Sequence, residues 1–189
     1  MDSLKHIEVE LKFPLLNHKE LIEKLKSIAT LEKEGDFQKD TYFNPAHRDF
    51  LSKKPVSEWL RLRQSKKGFN LDYKKWHNEN NDAISCEEFE TFLENTENLK
   101  NILNKLDFKG LIIVEKIRKN WTYKNAIISI DKVTELGDFI EIEIKENEFK
   151  DIEQAKEYLF NILKELNIDV GEQDFEGYPY LLLKKKLLI

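Results

Sequence analysis

Alternation of apolar and charged residues is the dominant pattern along much of this chain. Near its start, Ile7, Val9, Leu11 and Phe13 alternate with Glu8, Glu10 and Lys12. A two-residue period of this kind is typical of a β-strand with one face buried. Related segments follow at 59–64, 70–75, 85–92, 111–121, 127–133 and 139–145. The pattern predicts a mainly antiparallel sheet.

Three other segments carry apolar residues at helical spacing. The first covers 21–31, where Asn17 and Glu20 form a start that resembles a capping box; the second covers 99–106, after Asn95 or Thr96. The third runs from about Asp151 to Asn167. Helices set among antiparallel strands indicate an α+β fold, and a length of 189 residues favours a single domain spanning 1–189.

Charged residues within the predicted strands come in pairs of equal sign, two residues apart. The pairs are Glu8 with Glu10, Arg61 with Arg63, Glu88 with Glu90, Lys116 with Arg118, and Glu141 with Glu143. Side chains two residues apart share one strand face, so the members of each pair repel unless they share an opposite charge. A metal cation can bridge paired carboxylates, and a phosphate can bridge paired Arg or Lys.

A solvated sheet face with cross-strand ion pairs would explain any one of these pairs. Five pairs that vary in sign over successive strands favour a different interpretation. If the sheet closes into a barrel, the charged faces meet in its lumen and form a cavity for a metal-bound polyphosphate.

The composition of the chain argues against several classes of protein. The net charge of -5 argues against a partner such as duplex nucleic acid. No apolar run approaches the roughly 20 residues of a membrane helix, and 1–7 lack a signal pattern. A lone cysteine, Cys86, excludes an internal disulfide and fits a cytoplasmic location. Leu181–Leu183 before Lys184–Lys186 is interpreted as a packed strand or helix end rather than a membrane-surface patch.

The chain also lacks the usual phosphate-binding and zinc motifs. Neither G-x-x-x-x-G-K-[ST] nor G-x-G-x-x-G occurs, so side chains would have to hold a phosphate. Four His without metal-ligand spacing and one Cys make a zinc site a poor fit, whereas oxygen ligands favour Mg²⁺ or Mn²⁺. Cys86 is interpreted as a structural residue rather than a nucleophile.

The order of the charged motifs resembles one known family. Glu8-Val9-Glu10-Leu11-Lys12 matches an E-x-E-x-K strand, and the series continues with Arg61-Leu62-Arg63, Lys74, Glu88-Phe89-Glu90, Lys116-Ile117-Arg118, Asp131 and Glu141-Ile142-Glu143. This series resembles the CYTH superfamily of class IV adenylyl cyclases and thiamine triphosphatases, also called triphosphate tunnel metalloenzymes. Segments 38–43 and 48–50 resemble the cyclase-type branch. Cys86 departs from the family pattern, because many members carry an Arg there.

The resemblance implies a closed antiparallel β-barrel with flanking helices, whose tunnel binds a nucleoside triphosphate or another small triphosphate. It implies metal ligands among Glu8, Glu10, Glu88, Glu90, Asp131, Glu141 and Glu143, and phosphate ligands among Lys12, Arg61, Arg63, Lys74, Lys116 and Arg118. Lys12 and Lys74 are also the candidate catalytic residues, although a lysine pKa near 10.4 is high for a general base, which stays unassigned. A homodimer is a further implication.

Three functions remain open on these residues. The leading hypothesis is a class IV-type adenylyl cyclase that converts ATP to 3′,5′-cyclic AMP and pyrophosphate. The alternative is hydrolysis of inorganic triphosphate or thiamine triphosphate, because one fold does not select one reaction. A non-catalytic module that binds nucleotides or polyphosphate is the third, and the many carboxylates argue against it.

Overall fold

The strands of the protein form a closed barrel. A computed structural model describes residues 7–79, 82–146 and 148–189. Within them, eight strands occur: β1 (Ile7–Pro14), β2 (Thr30–Asn44), β3 (Glu58–Ser65), β4 (Gly68–Glu79), β5 (Asp82–Leu93), β6 (Lys109–Tyr123), β7 (Ala126–Val133) and β8 (Gly137–Ile144). Antiparallel neighbours close in the order β1-β5-β4-β3-β2-β6-β7-β8. The predicted antiparallel barrel is therefore confirmed.

Strand β2 was not predicted from the sequence. Its pairing with β6 shifts register on both sides of Lys33, and Gly35 in this irregular stretch has φ 61°. The inward face of β2 carries the buried polar residues Asp36, Gln38 and Asp40, while its outward face is exposed at Phe37, so no continuous buried apolar stripe marks this strand. Leu31, which the helical pattern had included, lies in this strand because the preceding helix ends at Ile28.

The described residues also contain four α-helices. These are α1 (His18–Ile28), α2 (Glu97–Lys105), α3 (Ile152–Leu166) and α4 (Tyr178–Lys185), with a 3₁₀ turn at Phe50–Ser52. The first three confirm the predicted helices. The side chain of Asn17 accepts the backbone N–H of Glu20 at 3.3 Å, and Asp151 accepts that of Gln154 at 2.9 Å, so both N-termini are capped as their sequences indicate.

The apolar half of the strand alternation faces outward. Leu11, Ile130 and Ile142 are almost fully buried, in one cluster with Leu21 of α1 and Leu159 of α3. These helices therefore cover the outer face of β1, β7 and β8. Because side chains alternate between faces, the charged half of the same strands points into the lumen. This arrangement leaves the interior of the barrel polar.

Helix α4 closes one end of the barrel. Leu182 and Leu183 are buried in a cluster with Trp59, Val133 and Phe139, which extend the inward faces of β3, β7 and β8. The interpretation of Leu181–Leu183 as part of a packed helix end is confirmed. Among the described residues, no helix combines the length and the apolar character needed to cross a membrane.

Candidate functional site

The lumen of the barrel contains a cavity of about 230 Å³. Every predicted site residue except Asp131 lines it: Glu8, Glu10, Lys12, Arg61, Arg63, Lys74, Glu88, Glu90, Lys116, Arg118, Glu141 and Glu143. Tyr42, Trp59, Trp76, Gly177, Tyr178 and Pro179 complete the lining. Side chains from seven strands thus meet in one cavity, as closure of a sheet with charged inward faces requires.

Three carboxylates of the lumen are close enough to share one metal ion. Glu10, Glu141 and Glu143 each offer an oxygen within 4.8 Å of the others. Antiparallel pairing sets this geometry, because Glu10 lies opposite Glu143 across β1 and β8. Burial, followed by repulsion from Glu141 and Glu8, raises the pKa of Glu143 to about 8. A divalent cation would remove that repulsion, so these oxygen donors fit Mg²⁺ or Mn²⁺.

The arginines of β3 are held by buried aspartates that the pattern of charged pairs does not identify. Arg63 donates from Nε and Nη2 to the two carboxylate oxygens of Asp40, both at 2.7 Å. Arg61 contacts Asp72 at 2.6 Å. Burial opposes ionisation of Asp40, but the charge of Arg63 outweighs it and holds the pKa of that carboxyl well below its usual range. Asp40 and Asp72 are single acidic residues and do not belong to a pair of equal charge in the sequence. Only the strand pairing, which places each of them opposite an arginine of β3, identifies them.

Asp131 lies behind the cavity rather than in the acidic cluster. Its Oδ2 accepts from Lys116 Nζ at 3.0 Å and from Arg118 Nη2 at 2.6 Å, while its Oδ1 accepts from Arg118 Nε at 2.7 Å. Its exposed fraction is 0%. Although burial opposes ionisation, Arg118 and then Lys116 lower the pKa of Asp131. The structure therefore gives Asp131 the contacts of an anchor for two cations.

Lys12 and Lys74 are each flanked by two carboxylates. Lys12 Nζ lies 2.9 Å from Glu10 Oε1 and 3.2 Å from Glu141 Oε2. Lys74 Nζ lies 2.7 Å from Glu8 Oε2 and 3.2 Å from Glu88 Oε2. Burial alone would lower their pKa values, but the carboxylates outweigh it and raise the pKa of both lysines. Both side chains hold their protons at neutral pH, which suits charge stabilisation rather than base catalysis.

The sequence matches the CYTH domain over residues 6–178 of its 189 residues. The chain belongs to the CYTH family. A protein of Methanocaldococcus jannaschii named "Putative adenylate cyclase" is 34% identical over 164 residues, which cover 86% of this chain and 90% of that protein. Among solved structures, a Pyrococcus horikoshii OT3 protein has a TM-score of 0.80 and 30% identity, covering 94% of this chain and 99% of its own.

A more distant CYTH-like structure shares the fold. It comes from Hippeastrum and is described as a "Putative adenylyl cyclase" that reveals a dominant triphosphatase activity. Its TM-score is 0.59 at 19% identity, with 95% of each chain covered. At 19% identity, this likeness shows a shared fold and nothing more.

In the barrel of this CYTH protein, the pKa values of the neighbouring residues Glu8 and Glu88 shift in opposite directions. Burial would raise the pKa of Glu8, but the charge of Lys74 and hydrogen bonds from Glu88 and Lys74 lower it to about 2. Burial and the hydrogen bond with Glu8 raise the pKa of Glu88 to about 8. Glu8 is therefore the ionised partner of Lys74, and Glu88 is the glutamate of the two that is protonated more readily.

Two further lumen groups lie outside the three-carboxylate cluster. Glu90 accepts a hydrogen bond from Asn70 Nδ2 at 2.8 Å. Cys86 is buried, and its Sγ lies 3.7 Å from Glu8 Oε2. Burial raises the pKa of the Cys86 thiol, so it stays neutral where many family members have a cation. This environment agrees with a structural role for Cys86 and not with a nucleophilic one.

Lys116 should make triphosphate binding sensitive to pH. Burial, followed by repulsion from Arg118, lowers its pKa to about 7. In the absence of metal, we expect its contribution to triphosphate affinity to fall by up to about tenfold as pH rises from 6 to 8, because the charged fraction falls by that factor. Lys116→Arg, which stays charged throughout, is the matched control in isothermal titration calorimetry with inorganic triphosphate. Parallel pH profiles of wild type and Lys116→Arg would contradict this expectation.

Proposed function

We propose that this CYTH protein is a Mg²⁺- or Mn²⁺-dependent enzyme that breaks a phosphoanhydride bond of a bound triphosphate. The observation that carries the proposal is the charge balance around the cavity. The carboxyl groups are Glu8, Glu10, Asp40, Asp72, Glu88, Glu90, Asp131, Glu141 and Glu143; the cationic groups are Lys12, Arg61, Arg63, Lys74, Lys116 and Arg118. With Glu88 and Glu143 protonated at neutral pH, seven carboxylates remain beside six cationic groups, so the cavity has no excess of positive charge and a polyanion gains from entering together with a divalent cation.

The roles of the residues follow from their partners. Arg61, Arg63 and Arg118 are forked donors suited to phosphate oxygens, and buried aspartates fix their directions. Glu10, Glu141 and Glu143 would hold the metal, which supplies neutralisation of the charge that develops on the phosphate oxygens. Lys12 bridges the two groups, since it contacts Glu10 and Glu141 while lining the same cavity. Positioned charges of both signs are what phosphoryl chemistry needs most.

Cyclisation of ATP to 3′,5′-cyclic AMP and pyrophosphate is the reaction that we favour. Support comes from the name of the M. jannaschii relative at 34% identity. Support also comes from the cavity lining, where the indole of Trp76 adds aromatic surface among charged groups. A nucleoside can use an aromatic surface of this kind, whereas inorganic triphosphate has no part that would contact it favourably.

Hydrolysis of inorganic triphosphate is the second candidate. The observation in its favour is the lining itself, since nearly every side chain that reaches the cavity from β1, β5, β6 and β8 is ionisable. The activity given for the Hippeastrum protein agrees with this reaction. Water rather than a ribose hydroxyl would then be the attacking group, with the same cations around the phosphates.

Product analysis distinguishes these reactions. The purified protein is incubated with ATP or with inorganic triphosphate, each with Mn²⁺, with Mg²⁺ or with EDTA, and the products are separated by ion-exchange chromatography. We expect cyclic AMP and pyrophosphate from ATP, and no product in EDTA. Orthophosphate without cyclic AMP would assign the hydrolase instead. Binding of triphosphate without turnover under all metal conditions would contradict the proposed enzyme and leave a binding module.

A further inference from the structure

Tyr178 connects helix α4 to the cations of the lumen. Its hydroxyl donates to Asp131 Oδ2 at 2.9 Å, the same oxygen that accepts from Lys116 and Arg118. Its ring lies 5.0 Å from Lys12 Nζ and 5.1 Å from Lys116 Nζ, measured to the ring centroid. The side chain is 4% exposed and lines the cavity. Tyr178 thus contacts all three cations at this part of the lumen, Lys12 and Lys116 through its ring and Arg118 through the shared carboxylate of Asp131.

We propose that Tyr178 is a positioning residue for the triphosphate-binding cations: through Asp131 and through its ring, it fixes Lys12, Lys116 and Arg118 at the end of the lumen that α4 closes. This inference rests on the proposed function, because it assumes that these cations bind the triphosphate. The inference gives α4 a role in substrate binding, although this helix lies outside the strands that supply the charged pairs.

The hydroxyl of Tyr178 influences the cations through its hydrogen bond to Asp131. Two cations compete for Asp131 Oδ2, and a third donor from a different element restricts how the carboxylate can turn between them. Burial and then the charge of Asp131 raise the pKa of Tyr178, so its hydroxyl keeps its proton and remains a donor. A fixed carboxylate in turn fixes the fork of Arg118, which also contacts Glu141 at 2.9 Å. The hydroxyl therefore acts on the substrate through Arg118 and Lys116.

Packing holds Tyr178 in this position. Its ring meets Phe139 edge to face, with centroids 4.9 Å apart. One turn further along α4, Leu182 and Leu183 are buried in the cluster at the end of the barrel. The helix is thus anchored by apolar contacts that do not involve the hydroxyl. Removing the oxygen alone should leave the fold intact and change only the cations.

Tyr178→Phe tests this role, with Tyr180→Phe as the matched control. Tyr180 lies on the same helix, but its hydroxyl accepts from Lys54 at the surface and does not line the cavity. For turnover of a triphosphate with Mn²⁺, we expect Tyr178→Phe to raise KM about tenfold, the factor that corresponds to about 1.4 kcal/mol of lost binding. The Mn²⁺ activation constant should change less than KM, because Tyr178 reaches the three-carboxylate cluster only indirectly, through Lys12 and Arg118. Tyr180→Phe should leave KM unchanged.

The melting temperature of both variants completes the experiment. A fall of at most about 4 °C is expected for each, as for loss of one hydrogen bond in a chain of this size. An unchanged KM in Tyr178→Phe would overturn the inference, because the cations would then bind the triphosphate without the hydroxyl. Unfolding of that variant, or a loss of Mn²⁺ activation larger than the rise in KM, would also overturn it, because either indicates a structural role. If wild type turns over no triphosphate, the proposed function fails instead, and calorimetric affinity for inorganic triphosphate still compares the two variants.

Discussion

Glu143→Gln is expected to lower metal-dependent turnover by about 100-fold or more, while the metal-free protein stays as stable as wild type or becomes more stable. Glu143 is one of the three carboxylates that would hold the metal, and loss of a preorganised electrostatic group in an active site has an effect of this size. Without metal the same carboxylate is unfavourable, because burial and the charges of Glu141 and Glu8 oppose its ionisation. Activity and stability should therefore change in opposite directions.

The pH dependence of stability separates this effect from general damage. The pKa of Glu143 rises from 4.5 to about 8 in the folded chain, so the folded state binds a proton that the unfolded state releases in this interval. Stability of the metal-free wild type is consequently lost as pH rises from about 4.5 towards 8, and the amide of the variant does not take part. The melting temperature of Glu143→Gln in EDTA should equal that of wild type near pH 4.5 and exceed it at pH 8.

Glu115→Gln is the matched control for this variant. Glu115 lies on the outward face of β6 and pairs with Lys39 at 2.9 Å on the surface, where an ion pair contributes little to stability. Its replacement should change neither turnover nor the pH dependence of melting. Thermal unfolding in EDTA and in Mn²⁺, together with steady-state kinetics, checks both variants. Full activity of Glu143→Gln would exclude Glu143 as a metal ligand.

The strands that the sequence predicts best are those whose outer face is covered by helices. In β1 and β8 every second residue packs under α1 or α3, so alternation is strict and Leu11 and Ile142 mark the buried face. Strand β2 lacks this signal because its outward face is exposed at Phe37 rather than covered by a helix, and because its register shifts near Gly35. Helix α4 lacks a helical period because it fits the end of the barrel, which buries neighbouring residues together.

Regular local patterns also determine which site residues could be predicted from the sequence. Paired carboxylates and paired cations show a local repeat, and closure of the barrel brings them together. The partners that fix the cations, Asp40, Asp72 and Tyr178, are single residues whose role depends on which strand or helix lies opposite. Asp131 illustrates the limit: the family resemblance implied a metal ligand, and only the pairing of β6 with β7 shows that this residue lies directly opposite Arg118.

Asp131→Ala is expected to destabilise the protein by about 3–5 kcal/mol, the cost of leaving a buried charge without its partner. Asp131 is fully buried and accepts from both Lys116 and Arg118, so its removal takes a hydrogen-bonded anion from both cations, of which Lys116 is itself only 3% exposed. Urea unfolding monitored by circular dichroism measures the loss. Ser129→Ala is the control, because Ser129 is the neighbouring inward residue of β7, 1% exposed and uncharged, and should cost about 1 kcal/mol.

The conditions of this measurement distinguish an anchor from a metal ligand. If Asp131 holds cations, the full loss of stability appears in EDTA, because Lys116 and Arg118 need their partner whether or not a metal is bound. If Asp131 were a metal ligand, wild type and Asp131→Ala would differ mainly after metal is added. Inorganic triphosphate should reduce the difference in free energy of unfolding between wild type and Asp131→Ala. Its oxygens can occupy the place of the missing carboxylate beside the two cations. Equal stability of both proteins in EDTA would refute the anchoring role.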